Sequence, residues 1–179
     1  MSLQREVELK SDAGMDYSKL RDLLKAEKWK EADEETLRVM LAVAKREKEG
    51  WLRVEDMDNF PCTDLRTIDQ WWVKYSNGRF GFSVQKRIYQ GLHGTIRKQQ
   101  LIYLGVDRDE YDRNIWDDFG NKVGWRKGGS WLNYKNITFD KKAPEGHLPT
   151  RRYGELGNYR LFSRVETCRI YAPLSNHTK

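Results

Sequence analysis

Two cysteines, four prolines and three histidines in 179 residues leave little material for the chemistry those side chains supply. Cys62 and Cys168 lie far apart with no ligand cluster beside either. Neither zinc spacing nor a disulfide framework is indicated, and both read as reduced, buried thiols. His93, His147 and His177 stand outside any recognisable nucleophile motif with Ser or Cys, and read as loop or surface residues. A phosphate loop, a dinucleotide fingerprint after a strand, an HExxH pair and a CxxC pair are all missing. The expectation is therefore a protein that is not an enzyme and holds no metal of its own. Long apolar runs are missing too: stretches such as Trp71-Trp72-Val73 are far short of the ~20 residues that cross a bilayer. The N-terminus shows no signal or transit pattern, which makes the cytoplasm the default compartment, or a plastid if a leader was removed.

What the chain does have is aromatic surface and positive charge. Mean hydropathy is −0.88, yet seven Trp, nine Tyr and six Phe supply enough apolar area for a core. The length suits one domain, placed at residues 16–170, between a disordered lead-in at 1–15 and a frayed tail at 171–179. The formal charge of +6 and a pI near 9.2 imply an anionic partner. Nucleic acid, an acidic lipid surface met peripherally, a phosphorylated metabolite or a carboxylated pigment would each satisfy that balance. Lys141, Lys142, Arg151, Arg152, Arg160 and Arg164 face only Glu145 and Glu155 in their segment, so an anion is expected there.

Apolar spacing predicts helices throughout. Asp16 can cap a short helix carrying Leu20, Leu23 and Leu24, and a second runs from about Trp29 to Lys48, with Gly50 ending it; the pair reads as a helical hairpin. After Phe60-Pro61, Thr63 or Asp64 can cap a third helix bearing Leu65, Ile68, Trp72 and Tyr75. Asn77-Gly78 marks a turn; the partial alternation of Phe80, Phe82, Val84, Ile88 and Tyr89 leaves strand and helix open locally, and the all-helical context with Lys86-Arg87 favours a helix from about Ser83. Residues 90–108 read as a surface insertion. A helix then starts at Asp109 with Gly120 as its stop, dense Gly and Pro make most of the last third loop, and a final helix spans Leu161 to about Ile170. Aromatic and basic residues interleave at residues 71–75, 79–82, 125–126 and 134–135. That pattern suits single-stranded nucleic acid or a carboxylated macrocycle in an apolar slot with cations at its rim, and ordinary core packing with snorkelling cations would also produce it.

The stretches Asn59 to Leu65, Trp72 to Gln85, Phe119 to Arg126, Ala143 to Pro149 and Phe162 to Cys168 resemble, in order, the signature of the Genomes Uncoupled family of tetrapyrrole-binding proteins. The likeness extends over about Asp16 to Ile170. It implies an all-α single domain with a cupped-hand binding face, and a binding protein for protoporphyrin IX and magnesium protoporphyrin IX that stimulates magnesium chelatase. The implied partner is the large porphyrin-binding subunit of that enzyme; nucleic acid is not expected, and the protein is expected to be a monomer in a cyanobacterial cytoplasm or a plastid. By motif, Val73 and Phe82 match apolar residues lining the family's cavity, and Trp131 falls where an indole borders it. Arg151, Arg152 and Arg160 are the candidates to pair with the ligand's propionates. A paralogous module that binds a linear tetrapyrrole, or only a protein partner, stays open as the alternative.

Overall fold

The computed structural model describes residues 10–93, 108–150 and 154–173. Its elements are α1 (Ser18–Lys25), α2 (Trp29–Val43), α3 (Val54–Asp58), α4 (Cys62–Tyr75), α5 (Phe82–Leu92), α6 (Arg108–Val123), β1 (Arg126–Lys127), β2 (Ser130–Trp131), a 3-10 turn (Tyr134–Asn136) and α7 (Gly154–Thr167). The expected all-α class holds; the only sheet among the described residues is the small hairpin β1–β2, turned by Gly128-Gly129 with both φ positive. Helix α1 packs on α2 and α4, α5 on α6 and α7, and α3 on α7. Among the described residues no helix is long and apolar enough to cross a membrane.

The helix ends show why several sequence expectations missed. Four helices close with two reverse hydrogen bonds around a non-glycine residue in the left-handed region: Glu27, Lys45, Asn77 and Arg169, with φ between 54° and 56°. At α2, Lys45 N–H bonds Ala42 O at 3.0 Å and Arg46 N–H bonds Leu41 O at 2.8 Å, so the helix stops at Val43 and not near Lys48. Gly120 is not a stop either. The helix runs on to Val123 and closes around Gly124, while a Cβ at Gly120 would collide with the Trp131 ring. Helix α3 was missed because five residues cannot carry a periodic pattern. The last helix starts at Gly154, about two turns before Leu161, and ends at Thr167.

Asp64 does not cap α4; Pro61 holds that position. The buried Asp64 carboxylate instead accepts Asp12 N–H at 3.0 Å, Ala13 N–H at 3.3 Å, the Tyr17 hydroxyl at 2.8 Å and the Ser11 hydroxyl. Residues 10–15 of the expected lead-in are thus tied to α4, and burial beside that carboxylate pushes the Tyr17 phenol well above its usual range. Asp16 accepts the Ser18 amide at 2.8 Å, one residue before the helix cap. At the other end, Arg87 donates to Pro173 O at 2.6 Å.

Cys62 and Cys168 are not free thiols: they form a disulfide across 106 residues, joining the start of α4 to the end of α7. Spacing carried no hint of it, because only the packing of α7 against α4 brings the two Cα atoms to 5.3 Å. Nearby, Arg66 donates to Cys168 O at 2.7 Å and Arg164 to Phe60 O at 2.8 Å.

A strap without helix or strand, residues 143–150, crosses from α6 to α2 over the α4–α5 turn. Arg79 Nε donates to Ala143 O at 2.8 Å, Gly146 N–H to Arg79 O at 2.8 Å, and Gln85 Nε2 to Gly146 O and Pro149 O at 3.0 and 2.6 Å. Gly81 N–H reaches Leu148 O at 3.0 Å, Trp125 Nε1 reaches His147 O at 2.7 Å, and Asp33 takes the Thr150 amide at 2.6 Å. His147 is a buried strut and not a surface residue: its Nε2 accepts Thr138 N–H at 3.2 Å, which leaves Nδ1–H to donate to Val123 O at 2.6 Å. Burial lowers its pKa, consistent with a neutral ring in both contacts.

Two outcomes follow from these contacts. Replacing both Cys62 and Cys168 by Ser should lower unfolding free energy by about 3–5 kcal/mol, read by urea denaturation, because closing a loop of this length restricts the unfolded chain. Asp69, fully buried, accepts Ser83 N–H at 2.8 Å at the start of α5, and burial pushes its carboxyl up to about 6 from 3.8. The folded state therefore holds the proton more tightly, so this group's stabilisation is complete below pH 3.8 and is lost as pH rises through 6. Stability of Asp69→Asn relative to wild type should climb by about 2–3 kcal/mol between pH 4 and pH 7.

Candidate functional site

Helices α5 and α7 each present one face, at helical spacing, to a shared open groove of about 270 Å3. Lys86, Tyr89, Gln90 and His93 line it from α5; Tyr159, Phe162, Ser163 and Glu166 line it from α7. The helices run so that the groove has two unlike ends. At one, Tyr89 meets His93 edge-on at 4.6 Å, Tyr159 edge-on at 6.3 Å and Phe162 at 5.5 Å, with Tyr159 half exposed. At the other, the Lys86 ammonium pairs with the Glu166 carboxylate, and Gln90 Nε2 lies 3.3 Å from the same oxygen. The Tyr171 ring faces the ammonium at 5.4 Å. Desolvation depresses the Lys86 pKa.

Behind Tyr89 the aromatics continue inward. Trp116 lies 6.2 Å and Phe119 5.7 Å from its ring, Trp116 stacks on Trp131 at 5.6 Å, and Trp131 covers Gly120. The arrangement is an aromatic slot with an ion pair at one end. It can accept a flat apolar body whose anionic edge points toward Lys86. Among the described residues, no cluster of three or more His, Cys, Asp or Glu side chains could hold a metal ion.

The residues expected from the sequence do not gather at this groove. Phe82, 1% exposed, begins α5 one turn below Lys86, sealed in the core. Val73 is half-buried beside the Gly81 backbone, where a Cβ would come within 2.9 Å of its Cγ2 and of the Asp69 carboxylate. Trp131 adjoins the groove through Trp116. The Arg160 guanidinium lies 3.7 Å from Asp58, facing α3, and Arg151 and Arg152 lie outside the described residues, as do positions 94–107 of the expected insertion. Sequence reasoning did not single out Lys86, Tyr89, Gln90 or Glu166, which line the groove. The i, i+3, i+4, i+7 series Lys86, Tyr89, Gln90, His93 was the available signal, with nothing in it to mark a groove over a solvated face.

Known proteins share this architecture. A family model described as GUN4-like matches residues 10–163, and the chain belongs to that family. The Ycf53-like protein of Synechocystis is 33% identical over 144 residues, 79% of this chain and 53% of that protein. The chloroplastic tetrapyrrole-binding protein of Arabidopsis thaliana is 33% identical over 140 residues, 74% of this chain and 47% of that protein. The chain spans about half the length of the curated relatives it matches. Among solved structures, GUN4 from Chlamydomonas reinhardtii aligns with a TM-score of 0.68 and 28% identity, over 88% of this chain and 93% of that one. The ligand-free Arabidopsis GUN4 structure shares the fold, with a TM-score of 0.65 at 24% identity, over 84% of this chain and 96% of that one.

The burial pattern separates scaffold from surface. Phe82→Ala should cost about 3–5 kcal/mol in urea unfolding, as a core truncation does. Tyr159→Ala, at the half-exposed end of the groove, should stay within about 0.5–1 kcal/mol of wild type.

Proposed function

We propose that this protein is a non-catalytic tetrapyrrole carrier that binds protoporphyrin IX and magnesium protoporphyrin IX and stimulates magnesium chelatase by presenting or withdrawing the pigment. The observation that carries the reading is the α5–α7 groove, aromatic along Tyr89, Tyr159 and Phe162 and ionic at Lys86, which suits an amphipathic pigment with an apolar ring and carboxylate arms. Membership of the GUN4-like family and the tetrapyrrole-binding name of the Arabidopsis relative support the ligand class. Nucleic acid would call for a continuous cationic track, whereas the groove offers one paired lysine.

Magnitudes argue that charge takes part in binding. Covering one ring face removes on the order of 200 Å2 of apolar surface, or about 5 kcal/mol gross at 25 cal/mol per Å2. Association costs are of similar size, so stacking alone gives weak binding and a carboxylate contact must add to it. Magnesium in this reading arrives inside the ligand. The carrier fixes and desolvates the ring, and the large chelatase subunit is the partner that receives or releases it.

Titration with deuteroporphyrin IX and its magnesium form, following Trp quenching and the Soret band, tests this. Saturable quenching is expected, since Trp116 and Trp131 adjoin the groove. Tyr89→Leu with Tyr159→Ala should weaken it about tenfold or more. No saturable signal from wild type would overturn the cyclic-tetrapyrrole reading.

A further inference from the structure

The Lys86–Glu166 pair is uneven. The Lys86 side chain is 6% exposed and its partner 53% exposed. A buried ammonium left without a counter-charge is costly, so Lys86 requires a carboxylate at this position whether or not a ligand is present. Glu166 needs the pair far less, because on release its carboxylate can hydrate fully at the mouth of the groove. Exchanging one carboxylate for another at the same ammonium therefore conserves the charge pairing and asks only for a side-chain swing. The second donor is already in place: Gln90 Nε2, 3.3 Å from the Glu166 oxygen, can serve an incoming carboxylate in the same way. The backbone need not follow the swing, since Cys168, two residues on, is tied to Cys62 and its carbonyl accepts Arg66 at 2.7 Å.

We propose that Lys86 is the cation that receives the ligand's carboxylate, and that Glu166 is a built-in competitor that occupies it until a carboxylate ligand displaces it. This rests on the reading that the groove takes a carboxylated tetrapyrrole, and it names the contact that selects for the acid. Glu166 then sets an affinity threshold. A neutral macrocycle gains the aromatic slot but nothing from Lys86, while a free acid gains the ammonium in exchange for releasing a side chain to water. The arrangement keeps Lys86 paired in the empty protein and confines its use to ligands that bring their own anion.

The test measures dissociation constants of deuteroporphyrin IX and of its neutral bis-carboxamide by Trp quenching, on wild type, Glu166→Gln, Lys86→Met and Lys86→Arg, with thermal melts confirming that each variant folds. Glu166→Gln should tighten the acid about five- to tenfold and leave the diamide unchanged. Lys86→Met should weaken the acid about tenfold or more and leave the diamide within about twofold, and Lys86→Arg should restore most of the acid's affinity. Wild type that binds the acid while Glu166→Gln fails to tighten it, or equal losses for acid and diamide in Lys86→Met, would overturn the exchange and leave the carrier reading standing. Wild type that binds neither compound would remove both.

Discussion

A chain segment that belongs to no helix or strand needs partners for its buried amides and carbonyls, and residues 143–150 find several of them in side chains drawn from across the molecule. Arg79, Gln85 and Trp125 donate to carbonyls of the strap, and Asp33 takes its last amide. Those four residues sit on, or next to, α2, α4, α5 and α6, so satisfying the strap fixes the mutual placement of most of the domain. Loss of one such contact leaves a buried polar atom unpaired, at a cost of about 1–3 kcal/mol, which is large against ordinary domain stability. Gly81 completes the joint. Its φ of 132° lets the chain leave the α4–α5 turn, Asp69 and Val73 come too close for a Cβ, and its amide is spent on Leu148 O.

The groove depends on this arrangement at one remove. Gln85, bonded to the strap, is the neighbour of Lys86, so the strap sets the rotation of α5 about its axis and with it the face bearing Lys86, Tyr89, Gln90 and His93. The opposite wall is held by different means. Helix α7 is joined to α4 through Cys62–Cys168, and its interior side carries Leu161, Phe162 and Val165 into the core. Buried aromatic contacts from Phe119 to both Tyr89 and Phe162 set the spacing between the two walls.

Helical spacing was enough to find α1, α2 and α4, because each carries an apolar stripe with a polar opposite face, whereas α5, whose apolar residues partly alternate, was read as helix only from its all-helical context and Lys86-Arg87. It overran α2, since the left-handed stop there is Lys45 and no glycine announces it. It misread Gly120 for a converse reason: that glycine is a landing place for Trp131 and not a helix terminator. The disulfide was invisible, as a pair 106 residues apart has no local signature. Motif likeness found the family from five ordered stretches, and two of them, residues 72–85 and 143–149, are the two sides of the strap joint. Val73 and Phe82, which the likeness places on the family's cavity, lie beside that joint. The α5 residues of the groove lie one to three turns beyond Phe82, and those of α7 on another helix altogether, where side chains facing a partner helix across a gap look like any solvated helix face.

Each wall of the groove is held by its own contacts, the strap on one side and the disulfide on the other, with Phe119 packed against both. That bears on how a ligand of this size could bind. Ordering a loop or several long side chains would add about 0.5–1.5 kcal/mol each to the cost of association, on a contact whose apolar gain is modest. Here the aromatic side chains of the slot are already packed on one another and Lys86 is already buried and paired, so little remains to be ordered beyond the Glu166 side chain. The energy of the new carboxylate contact is then set against the release of one half-exposed carboxylate and not against the assembly of a site. Under the proposed exchange a carrier that hands its pigment on would benefit from that balance, because the displaced Glu166 carboxylate stays tethered beside Lys86.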